Sequence, residues 1–241
     1  MKQMQFDVIY GIHPVRELLK ARRRRVFSLY VAKPTPSPVQ DLIRQATQDA
    51  KIVYVDRRKL DLLAQSSDHQ GIVAQAAPFA YTRKFFAPDE HPLILLLDSI
   101  HDVRNLGALL RSAYCTNISG VVLGEKGTSD LSAAAYKASA GLAEYMHIFK
   151  APSAIAGAQM AQKNGYTIYS GAFGGVPLDE VSFASPACIV IGNEGAGVQR
   201  KIIELGHKVT IPQVRADVSY NASVAGALMM FYAARRCGVL A

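Results

Sequence analysis

The sequence contains no stretch of 18 uninterrupted apolar residues, so no segment reads as a membrane-spanning helix. It has only three cysteines, Cys115, Cys188 and Cys237, which are far apart and include no CxxC pair. That argues against a disulfide framework and against a zinc site, and all three are expected to be reduced core residues. No apolar segment with a small-residue cleavage site opens the chain, where Lys2 and Asp7 stand instead, so a cytoplasmic protein is expected. Internal repeats, low-complexity tracts, a Walker A pattern and a nucleophile elbow are also missing. What is present is an apolar half of 241 residues, enough to exclude disorder and to support two modest domains.

The charge is uneven along the chain. Residues 1–90 carry 15 Lys and Arg against 9 Asp and Glu, whereas the rest carries 12 against 10. The excess includes the run Arg22, Arg23, Arg24, Arg25 and the cluster Arg57, Arg58, Lys59. A polyanion such as nucleic acid is a natural partner for such a segment, although each cluster alone equally suits a solvated helix end.

Short β-branched runs alternate with helical periodicities, as in an α/β chain. In the first third, helices are expected over 15–20, 39–50 and 60–65, with Pro14 in the first turn of the first helix, and strands over 26–31, 52–55 and 71–75. Pro78, Pro88 and Pro92 then mark a linker. The expected division is a first domain over 1–77, a linker over 78–91 and a second domain over 92–241. The second domain opens with five apolar residues, 93–97, as a central parallel strand would. Further strands are expected over 120–123, 145–149, 167–169, 187–191 and 208–211. Helices are expected over 106–116, 131–140, 152–164, 198–205 and 221–237. Ligands of such parallel sheets bind beyond the carboxyl ends of the strands.

A dinucleotide or class I methyl-donor site needs glycines directly after the first strand, and residues 98–104 contain none. The glycines cluster instead at 192–197, GNEGAG, a pattern that alone suits a tight turn. Three segments are more informative together: 97–113 (LDSIHDVRNLGALLRSA), 189–195 (IVIGNEG), and 209–212 (VTIP) followed by 219–225 (SYNASVA). In this order and spacing they resemble the three motifs of the SpoU-type, TrmH-like RNA 2′-O-ribose methyltransferases of the SPOUT class. The segments Tyr10-Gly11-Ile12-His13-Pro14-Val15 and His69-Gln70-Gly71-Ile72 are similar to those in the small, ribosomal-protein-like RNA-binding domain of bacterial 23S ribosomal RNA guanosine-2′-O-methyltransferases.

The resemblance implies an α/β fold: a C-terminal parallel sheet flanked by helices with a deep trefoil knot, preceded by a small N-terminal α/β RNA-binding domain. It implies S-adenosyl-L-methionine as cofactor and a homodimer formed through the C-terminal domain. Carried over by position, Gly192, Gly195, Ile211 and Tyr220 would line the cofactor pocket, while Asn105, Arg111, Glu194, Ser219 and Asn221 would form the reactive set. Asn105 also suits an N-cap for a helix starting at Leu106, and Ser219 or Asn221 a cap for the last helix. No metal is expected. Two positions depart from the family pattern: Val103 stands where proline usually follows the aspartate, and Tyr220 where leucine is usual.

The chemistry can be argued without the family. A ribose hydroxyl is a poor nucleophile until it loses its proton, whereas a sulfonium methyl needs no activation, so the protein must orient the two and assist deprotonation. Arg111 is expected nearest the hydroxyl, binding phosphate and stabilising alkoxide, with arginine base catalysis as the other option. Rival readings are a transfer RNA 2′-O-methyltransferase and a non-catalytic, RNA-binding ribosome-assembly factor.

Overall fold

The computed structural model describes residues 6–46, 50–215 and 218–240. In chain order its elements are β1 (Asp7–Tyr10), α1 (Ile12–Ala21), β2 (Val26–Ala32), α2 (Ser37–Gln45), β3 (Lys51–Val55), α3 (Arg57–Ala64) and β4 (Ile72–Ala76). They continue with β5 (Leu93–Asp98), α4 (Val103–Cys115), β6 (Gly120–Gly124), α5 (Ala133–Ala138), β7 (Ile148–Ala151) and α6 (Ala154–Lys163). The last are β8 (Thr167–Pro177), β9 (Ala187–Gly192), α7 (Arg200–Ile203), β10 (His207–Thr210) and α8 (Ala222–Arg236). The chain divides into two compact units. One holds the described residues up to Ala80 together with Asp130–Tyr145; the other holds Tyr81–Ser129 and the described residues from Met146 on.

The first unit is built on a mixed sheet in the order β1-β4-β2-β3, with β2 and β3 parallel and the other pairs antiparallel. Helix α1 buries Pro14, Val15, Leu18 and Leu19 on one face, as their helical spacing requires. The two sequence motifs of this unit meet. Ile12 N donates to Gln70 Oε1 at 3.1 Å, and Lys137 Nζ donates to the same oxygen at 2.9 Å and to Asp68 O at 2.8 Å. Gly11 has φ +93°, a conformation L side chains rarely adopt, and that is what favours glycine there. His69 is buried. Its Nδ1 accepts from Gly71 N at 2.9 Å while Nε2 faces Asp61 at 3.1 Å, which makes it a fastener of the chain turn before β4.

The second unit is a six-stranded parallel sheet in the order β10-β8-β9-β5-β6-β7. Every residue of β5 is buried, as expected of a central strand covered on both faces. Ile94, Leu96, Val122, Cys188 and Val190 form a core with the alanine-rich face of α6. Within the segment read as a linker, Phe86 is buried in that core and Thr82 N donates to Ile148 O at 2.8 Å.

Several local expectations are corrected. Strand β1 is not apparent from its four-residue pattern, because it gains its ladder only against β4. Helix α2 ends at Gln45, and the remainder of the expected helix includes 47–49, which lie outside the described residues. Leu142–Tyr145 forms a 3-10 turn, so β7 starts later than expected, at Ile148. Strand β8 runs on to Pro177 because Gly175 packs its Cα against β10, where a Cβ would lie 2.3 Å from Lys208 O. Helix α4 begins at Val103 rather than Leu106. Asp102 supplies the cap, accepting from Arg104 N at 2.8 Å, and so removes Asn105 from the capping role. Of the cysteines, only Cys188 is buried. Cys237 is half-buried, and Cys115, on the solvent side of α4, is exposed.

Candidate active site

A cleft of about 300 Å³ opens beyond the carboxyl ends of β9 and β10, against Gly171–Phe173 of β8, in the second unit. This is where a parallel sheet leaves room for a ligand. Its walls are mainly apolar, with Phe173, Ile191, Val198, Ile211 and Met229, and its floor includes the backbone of the 192–198 loop.

The loop's glycines follow from close packing. A Cβ on Gly192 would lie 2.2 Å from Gly197 C, and Gly197 has φ +70°. Asn193 organises the turn: its Oδ1 accepts from Gly195 N at 2.8 Å and Ala196 N at 3.1 Å, and its Nδ2 donates to Ser99 O at 2.9 Å. The exit of the loop is held by Asp98, a fully buried carboxylate at the end of β5. It accepts from Gln199 N at 2.8 Å, Gln199 Nε2 at 2.6 Å and Ser99 Oγ at 3.0 Å. Hydrogen bonds of this kind offset the desolvation of a carboxylate buried away from a cation.

A chain of hydrogen bonds joins the polar residues of the three sequence segments. Asn105 Nδ2 donates to Glu194 Oε1 at 2.5 Å, and Asn221 Nδ2 donates to Asn105 Oδ1 at 3.2 Å. Asn221 Oδ1 accepts from Ser223 N at 2.9 Å, so this residue also caps α8. Asn105 is thereby oriented at both ends of its amide. Glu194, Gly192, Gly195, Ile211, Ser219 and Tyr220 all line the cleft. Asn105 and Asn221 reach it through Glu194.

Arg111 stands apart. It is exposed on α4, on the face of Arg104 seven residues earlier rather than on that of Asn105, and does not line the cleft. Arg104 is paired with Asp102, whose carboxyl it holds below the usual carboxylate range. The sequence reading omits Asp98, Asn193 and Gln199. An acid directly following an all-apolar strand is the one signal that could have singled out Asp98. The wall residues Phe173 and Met229, from β8 and α8, carry no motif at all.

The fit to a sulfonium nucleoside can be tested on the lining. A Cβ on Gly171 would lie 2.8 Å from Met229 Sδ, so the glycine lets Met229 pack against β8 and complete the apolar wall. The floor presents backbone groups, and the carboxylate and amides stand at the rim. These features suit a ligand with a flat apolar part and a polar, reacting end.

Comparison with known proteins agrees with this geometry. Residues 92–231 match the SpoU rRNA methylase family, and residues 8–82 match the substrate-binding domain of RNA 2′-O ribose methyltransferases. The 23S rRNA (guanosine-2′-O-)-methyltransferase RlmB of Shewanella oneidensis is 31% identical over 239 residues, covering 95% of this chain and 97% of its own. A crystal structure of an RNA 2′-O ribose methyltransferase superposes with a TM-score of 0.83 at 22% identity, over 97% of this chain and 89% of that one. The SpoU methyltransferase AviRb of Streptomyces viridochromogenes, in complex with the cofactor AdoMet, superposes with a TM-score of 0.81 at 18% identity, over 96% and 90%. At these identities the structures share the fold. The family match spans more than half of the chain, and the chain is a member of the SpoU rRNA methylase family.

Proposed function

We propose that the protein transfers the methyl group of S-adenosyl-L-methionine to a ribose 2′-hydroxyl of RNA, with a guanosine of large-subunit ribosomal RNA as its target. The observation that carries this reading is the hydrogen-bonded set Glu194, Asn105 and Asn221 at the rim of the cleft, drawn from three segments far apart in sequence. The guanosine assignment is supported by RlmB relatives that match nearly the whole chain, and AdoMet by its presence in AviRb.

Bound in the cleft, S-adenosylmethionine supplies an electrophilic methyl on a sulfonium. Gly192, Gly195, Ile211 and Tyr220 would hold it, with the 192–198 loop kept in shape by Asn193 and Asp98. Glu194, fixed by Asn105, and Ser219 position the ribose at the rim. Arg111, exposed on α4 outside the cleft, binds the phosphate that neighbours the ribose.

Along the chain the domains are read as an RNA-binding part over 1–77, a linker over 78–91 and a methyltransferase part over 92–241, although by packing 81–91 belongs with the second unit and 130–145 with the first. Placement of β9 between β5 and β8, with 192–198 and Ile211, Gln213, Ser219 and Tyr220 gathered at one cleft, supports a knotted path. Val224 and Phe231, seven residues apart on one face of α8 and both exposed, support a homodimer formed through this unit. A ribosomal RNA target places the work in the cytoplasm.

The test is mapping of ribose methylation by mass in RNA from cells with and without this protein, followed by transfer to that RNA by the purified enzyme. One 2′-O-methyl mark should disappear and be restored, and the linkage should resist alkali. Methyl on a base, or no change in the map, would overturn the reading.

A further inference from the structure

The basic residues of the first unit fall into two groups with different structural standing. Arg24 is buried in ion pairs with Glu144 and Asp7, and Arg23 Nη1 donates to Glu144 O at 3.2 Å. Arg25 lies 5.6 Å from the Phe27 ring centroid, and Arg22 ends α1, where the helix dipole favours a cation. The fold itself therefore accounts for the arginine run.

It does not account for Arg57, Arg58 and Lys59. They are the first three residues of α3, all exposed, at the end of the helix where the dipole disfavours cations. The two carboxylates nearest in sequence are otherwise engaged: Asp56 accepts from Lys59 N at 2.7 Å as the cap, and Asp61 faces His69 at 3.1 Å. Among the described residues the three side chains have no ion pair or hydrogen bond. Three residues before Arg57, Tyr54 on the edge strand β3 is 49% exposed. Lys33 Nζ stands 5.4 Å from its ring centroid, and Lys33 N donates to Val55 O at 3.0 Å. An exposed ring held by one cation and followed by three more is suited to a strand whose bases are unstacked: the ring takes a base and the cations take phosphates.

We infer that Lys33, Tyr54, Arg57, Arg58 and Lys59 form the docking surface for a single-stranded RNA segment, with a base stacked on Tyr54 and the backbone crossing the first turn of α3. The inference rests on the proposed RNA-modifying function and adds where the RNA is held and in which form. It also carries a signature that a structural role for these side chains lacks. Neutralising them relieves the helix dipole, so the protein should hold or gain stability while it loses RNA.

The experiment compares the full chain with R57Q/R58Q/K59Q and with Tyr54→Ala. It measures binding of a mixed-sequence single-stranded oligoribonucleotide and of its blunt duplex at several salt concentrations, with thermal unfolding alongside. Glutamine keeps the helix propensity of arginine and lysine. The triple variant should bind the single strand at least tenfold more weakly, with a salt slope shallower by about 2, since each phosphate contact contributes roughly 0.7. Its Tm should equal or exceed that of the parent. Tyr54→Ala should lose roughly tenfold on the single strand, with an unchanged salt slope and no loss on the duplex. Unchanged affinity and slope in the triple variant, a fall in its Tm, or an equal Tyr54 effect on the duplex would overturn the inference. If the parent methylates ribose while the variants bind normally, only the surface assignment fails. If the parent neither binds RNA nor methylates it, the proposed function falls with it.

Discussion

Arg24 and Glu144, 120 positions apart in sequence, form an ion pair within the first unit with their side chains only 4% and 1% exposed. The same guanidinium reaches Asp7 at 2.5 Å and Ala77 O at 2.9 Å, and lies 5.0 Å from the Tyr136 ring centroid. Burial pushes the Glu144 carboxyl up, and the hydrogen bond from Arg24 opposes it. Such a pair is costly to break, because removal of one partner leaves the other charged, buried and alone.

Arg24→Ser is therefore expected to destabilise the first unit by about 3–5 kcal/mol. Arg22→Ser, at an exposed helix end, should change stability by less than about 0.5 kcal/mol. Urea unfolding monitored by circular dichroism distinguishes the two, and equal small effects would remove the pair from its structural role.

Asn105→Ala should lower single-turnover methyl transfer by about a hundredfold or more, as Glu194 loses the amide that orients it. Asn221→Ala should do the same and also cost about 1 kcal/mol through the lost cap of α8. Measured rates that stay within threefold of the parent would separate the hydrogen-bond chain from the reaction.

Arg111→Ala should abolish turnover by several hundredfold with little change in affinity for S-adenosylmethionine, since Arg111 does not line the cleft. Calorimetric titration with the cofactor, set beside single-turnover rates on RNA, reads both quantities. Equal losses in the two would move Arg111 into cofactor binding.

Asp98→Ala should weaken cofactor binding more than tenfold, because the 192–198 loop loses its attachment at Gln199. Asp98→Asn keeps the size but turns part of the acceptor pair into a donor, and should fall between the alanine variant and the parent. Titration with S-adenosylhomocysteine at a temperature where all three remain folded gives the order.

Cys115 should react with a maleimide at pH 8 within the native protein, whereas Cys188 should react only on unfolding, since burial pushes its thiol well up. The linked effect on stability has a definite sign. A thiol whose folded pKa is raised contributes stability that is intact below the ordinary thiol range, and the contribution falls as pH rises above that range and the unfolded chain releases its proton. Mass spectrometry of the labelled sites, and denaturation midpoints taken between pH 7 and 10 for the parent and Cys188→Ala, check the two statements.

Periodicity and turn chemistry were sufficient to place the central strands and most helices, because all-apolar runs and capping residues act over a few neighbours. The same local information identified GNEGAG as a turn, whereas Asn105, Glu194 and Asn221 stood out as a set only by their places in the family motifs. It also located the family motifs, since their order along the chain survives without a structure. What tertiary structure decided is which of these groups meet. No local pattern says that Glu144 closes on Arg24, that Asp98 holds Gln199, or that Phe173 and Met229 wall the cleft. Arg22 to Arg25 form one run in the sequence, yet one member is buried and another caps a helix. Arg57 to Lys59 stay exposed at the unfavourable end of theirs. The reason is that burial and pairing are set by the strand order of each sheet, β1-β4-β2-β3 and β10-β8-β9-β5-β6-β7. That order brings together residues a hundred positions apart, and a side chain's charge, exposure and role follow from the neighbours it then acquires.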